Sequence, residues 1–452
     1  MTMLSRSLLA LVTALASTSL TVAAPQGFTI HRVSASAPAG GDGTTWGSAF
    51  QSIDDALAAS GQGDRIWVAE GVYRPTVALD PSDPRSRTFA PGFGVRLYGG
   101  FRGDEQSFAE RAGLFRSTVL DGDLGVPGDP SDNAYNVVRL EGNGARQWVD
   151  GFVIRGGNGD STGLARGGGA IAAQLGQKTI RNVIFFRNRG RFGGALLSQL
   201  SIMSVRDCWF LENESTDAGG ACWATSSFVC VDTEFTSNVC SMRGGAVYMN
   251  QGGLDTEGVP ITRFQNCLFR DNFANNGGAA FVGDPSGPIS AGKAIWSGCT
   301  FFRNSAAVNG AAITTNVTPS NGIDVRLFNS IVWGNTSGMG TMLGGDPAHY
   351  SDVRYNLIEN GWVDAGNIDA DPMFQNEVRG VLRLLPGSPA IDAGDNELAL
   401  RDNLDLDGDG NFSERTPLAR FGAPRRVDDP AVPDTGAGGF PVTDLGCYER
   451  VP

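Results

Sequence analysis

Between Val183 and Asn360 the chain keeps returning to one phrase. Phe185 is followed three residues later by Asn188, and the spacing recurs at Phe210–Asn213, Phe235–Asn238, Phe269–Asn272 and Phe301–Asn304. Val332–Asn335 and Leu357–Asn360 are worn copies. A second phrase alternates with the first: Gly168-Gly169-Ala170, Gly193-Gly194-Ala195, Gly219-Gly220-Ala221, Gly244-Gly245-Ala246 and Gly277-Gly278-Ala279, then the variant Gly310-Ala311-Ala312. From Phe185 to Phe301 the steps are 25, 25, 34 and 32 residues, and 31 more lead to Val332. A phrase repeated at such a period marks a solenoid, propeller or array. The runs between are short and β-like with no helical period, which excludes a helical solenoid. A propeller blade needs four strands in roughly 40 residues, more than a 25-residue step can hold. An all-β coil remains, one turn per repeat.

The coil accounts for the residue types. Equivalent positions of successive turns stack about 4.8 Å apart, so Asn188, Asn213, Asn238, Asn272 and Asn304 are expected to form one amide ladder. An amide carries donors and an acceptor and can serve neighbours on both sides. The glycines are expected at a tight corner with positive φ. Two residues before each phenylalanine lie Val183, Cys208, Thr233, Cys267 and Cys299, with Ser330 before Val332, on the phenylalanine's own, inward face by period two. The following residues, Phe186, Leu211, Thr236, Arg270, Phe302 and Trp333, are expected to face outward.

F-x-x-N paired with G-G-A resembles the repeats of polymorphic outer-membrane proteins, within the right-handed parallel β-helix (pectate-lyase-like) superfamily. The tail segments L-R-L-L-P-G-S-P-A-I-D-A-G-D-N (Leu382–Asn396) and V-T-D-L-G-C-Y-E (Val442–Glu449) are similar to the closing motifs of the bacterial choice-of-anchor Q domain. That domain usually ends D-x-G-A-Y-E, and Cys447 stands in the alanine's place. The resemblance spans most of the chain after its leader and implies a right-handed parallel β-helix of about ten turns. It implies no catalytic residue.

Arg6, the apolar run Leu8–Ala16 and small residues to Ala24 read as a signal peptide over 1–24. The apolar run is too short to span a bilayer, and no barrel pattern or sorting tail precedes Pro452, which argues against a self-contained autotransporter. The expectation is export to the extracellular space, cell surface or periplasm, with no membrane span in the mature chain. Residues 25–64 read as an N-terminal cap whose short helix starts at a capping box, Ser48 with Gln51, shows Trp46, Phe50, Ile53 and Leu57 on one face, and stops at Gly61. Residues 65–360 form the coil, with Pro- and Asp-rich excursions at Asp80–Pro91 and Asp121–Asp132 placed to build a binding surface. Residues 361–452, rich in proline, aspartate and glycine, read as a loop-built C-terminal cap.

A net charge of −13 disfavours nucleic acid and leaves acidic glycans in need of a cation bridge or local arginines. Seven cysteines cannot all pair. Cys267 and Cys299, in equivalent positions of neighbouring turns, are close enough for a disulfide, and the alternative is a row of buried thiols. Zinc is disfavoured, since no C-x-x-C occurs and the histidines are only His31 and His349.

The β-helix resemblance brings polysaccharide lyases and glycoside hydrolases into view. A lyase needs charge neutralisation and a base, and a hydrolase needs carboxylates at a set separation. Arg187, Glu212, Arg270, Asp271 and Arg303 sit on neighbouring turns, where solvated corner residues are expected in any case; Lys178 and Lys293 form no pair. Phe302 and Trp333 offer a stacking platform for sugar rings unless a loop or the C-terminal cap covers them. Asp405, Asp407 and Asp409, followed by Gly410, open like an EF-hand calcium loop, but Thr416 holds the twelfth position and Glu414 comes two residues early. The reading is a surface β-helix for adhesion, matrix structure or glycan binding without catalysis; the alternative is a carbohydrate-active enzyme.

Overall fold

The computed structural model describes residues 27–111, 117–160, 163, 167–250, 262–283, 293–315 and 323–452. The signal segment 1–24 lies outside them. Each regular turn holds four short strands. In one turn they are Phe228–Val231, Glu234–Thr236, Val239–Cys240 and Val247–Met249, before the next begins at Arg263–Gln265. The third strand of each turn joins a 7-stranded sheet and the others a 25-stranded one. Pairing is parallel and in register, as in Phe210↔Phe235 and Phe235↔Phe269. The protein is an all-β parallel β-helix.

Sharp corners bound the second strand. Asp207, Asp232, Asn266, Gly298 and Asn329 before it, and Glu212, Ser237, Asp271, Arg303 and Gly334 after it, all have positive φ. Left-handed backbone is uncommon outside glycine, and here it recurs because three residues are all the turn allows between bends. In Gly-Gly-Ala the two glycines have different reasons. Gly244 takes φ 69°. Gly245 has no such angle, but a Cβ there would lie 2.0 Å from the Gly278 carbonyl oxygen of the next turn. The alanine that follows is buried in the core.

Inside, Phe185, Phe210, Phe235, Phe269 and Phe301 stack with ring centroids 4.4–4.8 Å apart and planes within 11°. The asparagines three residues on form an unbroken column that Asn335 extends. Each Nδ2 donates to the next Oδ1 at 2.8–3.1 Å and to a phenylalanine or isoleucine carbonyl of the preceding turn, while its backbone N–H donates to that same Oδ1. Every polar group of the buried amide is thereby paired.

The ends differ from the sequence reading. The coil starts before residue 65: Ile30–Val33 pairs in parallel with Arg65–Ala69. The helix is Ile53–Ala59, its cap is Ser52, whose Oγ accepts the Asp55 N–H, and it stops at Ser60 rather than Gly61. Ser48 and Gln51 instead bond Asp42 and the Ala37 carbonyl. Trp46 packs near Trp67 and Phe101, off the helix. Trp362, Asn367 and Ile368 do close the last turn, packing on the core, accepting the Asn356 N–H and bridging Leu357, but the rest of the tail is not an end cap. It doubles back along the coil's flank, where Leu406 accepts from Arg206, Leu418 from Asn266 and Leu398 from Ser297, and the Cys447 N–H reaches Thr300. The reason is apolar: Leu268, Phe302, Ile331 and Leu357 face outward and are covered by Phe374, Leu382, Leu384, Ile391 and Leu445. No described helix is long and apolar enough to cross a membrane.

Candidate functional site

The second early excursion and the turns beside it build a cleft of roughly 760 Å³ against the coil, a size that suits a ligand. Arg85, in the first excursion and outside the cleft, braces its far side by donating to the Asn133 and Asn158 carbonyls at 2.8 Å. The floor is a column in strand register, Asp121↔Arg155↔Phe186. Asp121 is buried, and its Oδ2 accepts from Arg74 at 3.2 Å and Arg155 at 3.0 Å. On the next turns Arg187 pairs with Glu212 at 2.7 Å and Arg189 with Glu214 at 3.2 Å. The Arg187 guanidinium lies 4.7 Å from the Phe186 ring centroid. Asp123, Pro127, Gly128 and Pro130 of the second excursion form the wall.

Four arginines thus face four carboxylates, and each arginine already has an anionic partner. Such a surface presents planar donors and acceptors and one aromatic ring, with no net charge to recruit a polyanion. Sequence reasoning singled out Arg187 and Glu212 and placed a binding surface at the excursions. It missed Arg74, Asp121 and Arg155, which meet only because their turns stack. Arg270, Asp271 and Arg303 lie away from the cleft in a continuing ion-pair ladder: Arg303–Asp271 is 3.0 Å and Arg270–Glu234 3.2 Å.

The outward platform of Phe302 and Trp333 is corrected. Phe302 is 1% exposed, with Phe374 of the tail edge-on to its ring at 5.5 Å, and Trp333 packs half-buried against the same cluster. Thr236, also expected outside, is buried. All seven cysteines are free and buried. Cys267 and Cys299 form no bridge, and burial pushes thiols such as Cys222 and Cys240 upward in pKa. Lys178 is buried with its Nζ on Gln147 Oε1 at 2.6 Å, and desolvation lowers it to about 8. Lys293 pairs in register with Asp324.

The expected calcium set divides. Asp405, Asp407 and Asp409 approach one another, but Glu414 meets Asp402 and Asp407 instead. The cause is backbone pairing: Arg401 bridges Arg415, and the Asp402 N–H donates to the Glu414 carbonyl, which folds the loop back on itself. Thr416 is occupied by the Leu400 carbonyl and Gln265. Burial, then the charges of Asp409, Asp407 and Asp402, raise the Glu414 pKa.

No family model matches the chain, and no curated protein does. Among solved structures it is similar to the crystal structure of pectate lyase Pel9A, at 13% identity over 94% of this chain and 96% of that one, with a TM-score of 0.41. It is similar also to Escherichia coli YbhC, at 16% identity over 76% of this chain and 82% of that one, with a TM-score of 0.30. Neither likeness bears on chemistry.

Proposed function

We propose that the protein is exported and acts at the cell surface as a non-catalytic β-helix that holds a hydroxyl-rich glycan in the cleft beside residues 121–132. The single observation behind this reading is the paired lining: Asp121, Glu212 and Glu214 are each engaged by arginine, beside the Phe186 ring. Each arginine keeps further N–H donors, and each glutamate a second oxygen, that a sugar chain can engage beside the ring. The alternative is a glycoside hydrolase, favoured by the four carboxylates of one cleft.

Incubation with neutral and acidic oligosaccharides tests both. Neutral oligosaccharides should bind without being cut, and the double variant Arg155→Ala/Arg187→Ala should weaken binding at least tenfold. New reducing or unsaturated ends would establish the enzymatic reading, and binding unaffected by the double variant would remove the cleft from the proposal.

A further inference from the structure

Asp392 lies in the tail where it packs on the coil, and its backbone is fixed from three sides. Its N–H donates to Asp444 Oδ1 at 2.9 Å, and its carbonyl accepts the Thr435 and Gly436 N–H groups at 3.0 Å each. The carboxylate is 0% exposed. Oδ2 accepts the Asp429 N–H at 3.2 Å, while Oδ1, equally shielded from solvent, has no hydrogen-bond partner. A buried anionic oxygen left in that state is costly.

Two more carboxylates close on it. Asp428 and Asp434 stand at the two ends of the stretch D-D-P-A-V-P-D, both exposed, and one oxygen from each of the three residues lies within 4.8 Å of the others. Nearby cations are committed elsewhere. Arg450 pairs with Asp429 at 2.7 Å, and Arg425 donates to the Asp444 carbonyl at 3.1 Å. Thr435 and Gly436, bonded to the Asp392 carbonyl, hold the Asp434 end of the loop in place.

We infer that Asp392, Asp428 and Asp434 form a calcium site that fastens the 428–434 loop to the buried strand of tail beneath it. Oxygens bound to one calcium at a Ca–O distance of about 2.4 Å can lie no farther apart than about twice that, a condition the three carboxylates meet. Three carboxylates with no histidine or thiol select a hard cation. Two of the three are exposed, so water completes the six to eight ligands that calcium takes, whereas magnesium demands near-ideal octahedral geometry and gives up its own water reluctantly. The site is separate from the loop at 405–414, and the cation joins the buried Asp392 carboxylate, one of whose oxygens is orphaned, to two exposed ones.

The test is calorimetric titration of the chelator-stripped full chain with calcium chloride, and separately with magnesium chloride. One calcium should bind through this site, more tightly than magnesium. Asp428→Asn and Asp434→Asn, both at exposed positions, should each weaken it at least tenfold, and Asp407→Asn should leave it unchanged. Calcium should also slow proteolysis within 428–434 in the parent but not in Asp434→Asn. Absence of binding, tighter magnesium binding, unchanged affinity in both exposed variants, or loss in Asp407→Asn instead would each overturn the assignment.

Discussion

Asp232 occupies a left-handed corner that other turns give to Asn182, Asn266 and Asn329. Here the side chain is buried, accepts one bond from Asn266 Nδ2 at 3.2 Å, and faces Asp207 of the preceding turn. Burial first, and Asp207 second, push its carboxyl up to about 7. The folded chain therefore keeps a proton that the unfolded chain releases, so this contribution to stability is intact below the ordinary carboxylate value of 3.8 and is lost as pH rises through about 7. Asp232→Asn keeps the side-chain shape and the tolerance for positive φ while removing the charge. It should stabilise the protein by on the order of 2 kcal/mol at pH 8 and by almost nothing at pH 4, measured by urea unfolding at both values. Equal effects at the two values would show that the carboxylate is not the source. At this scale the sequence was legible wherever a residue type repeats: the phenylalanine and asparagine columns followed from spacing alone. The second glycine's role was not, because the atom that excludes a Cβ belongs to the next turn.

The tail against the coil is the element that the repeat could not announce. Arg420, in the short turn Arg420–Gly422, buries its whole side chain and donates to Glu234 Oε2 at 2.7 Å, while Arg270 holds the other oxygen at 3.2 Å. Removing only the carboxylate leaves a buried guanidinium without its anion, which costs about 3–5 kcal/mol. Glu234→Gln should therefore loosen the tail, seen as faster proteolysis within residues 398–425, and the double variant Glu234→Gln/Arg420→Met should recover most of the loss. Unchanged proteolysis in Glu234→Gln would mean that the apolar cover alone docks the tail. These partners lie 186 residues apart and obey no period. That is why 361–452 read as an end cap and why Phe302 and Trp333 read as exposed. The same limit hid Arg74, Asp121 and Arg155 of the cleft, although the Pro- and Asp-rich excursion beside them marked the place.

As a whole the molecule is a stack in which turns touch mainly their neighbours, so damage should stay local. Asn238→Leu withdraws the acceptor used by the Asn213 N–H and Nδ2 and the donor to the Phe210 carbonyl. Each buried group left unpaired costs about 1–3 kcal/mol. Hydrogen exchange should quicken in the turns around Asn213, Asn238 and Asn272 and remain unchanged at Ile30–Val33 and Arg65–Ala69. A uniform rise along the chain would show global cooperativity instead. The asparagine column also has an arrow. Within the column each amide-to-amide bond runs one way, from an Nδ2 to the Oδ1 of the later turn, from Asn188, whose Oδ1 accepts the Gly157 N–H, to Asn335, whose Nδ2 turns to the Phe301 and Trp333 carbonyls. The side-chain dipoles add along the axis rather than cancel. A copy of one turn spliced between two others finds the same acceptor above and the same donor below, so the coil can lengthen or shorten by whole turns with no amide rewired. An inverted turn meets donor against donor, which makes direction, and not length, the property this architecture guards.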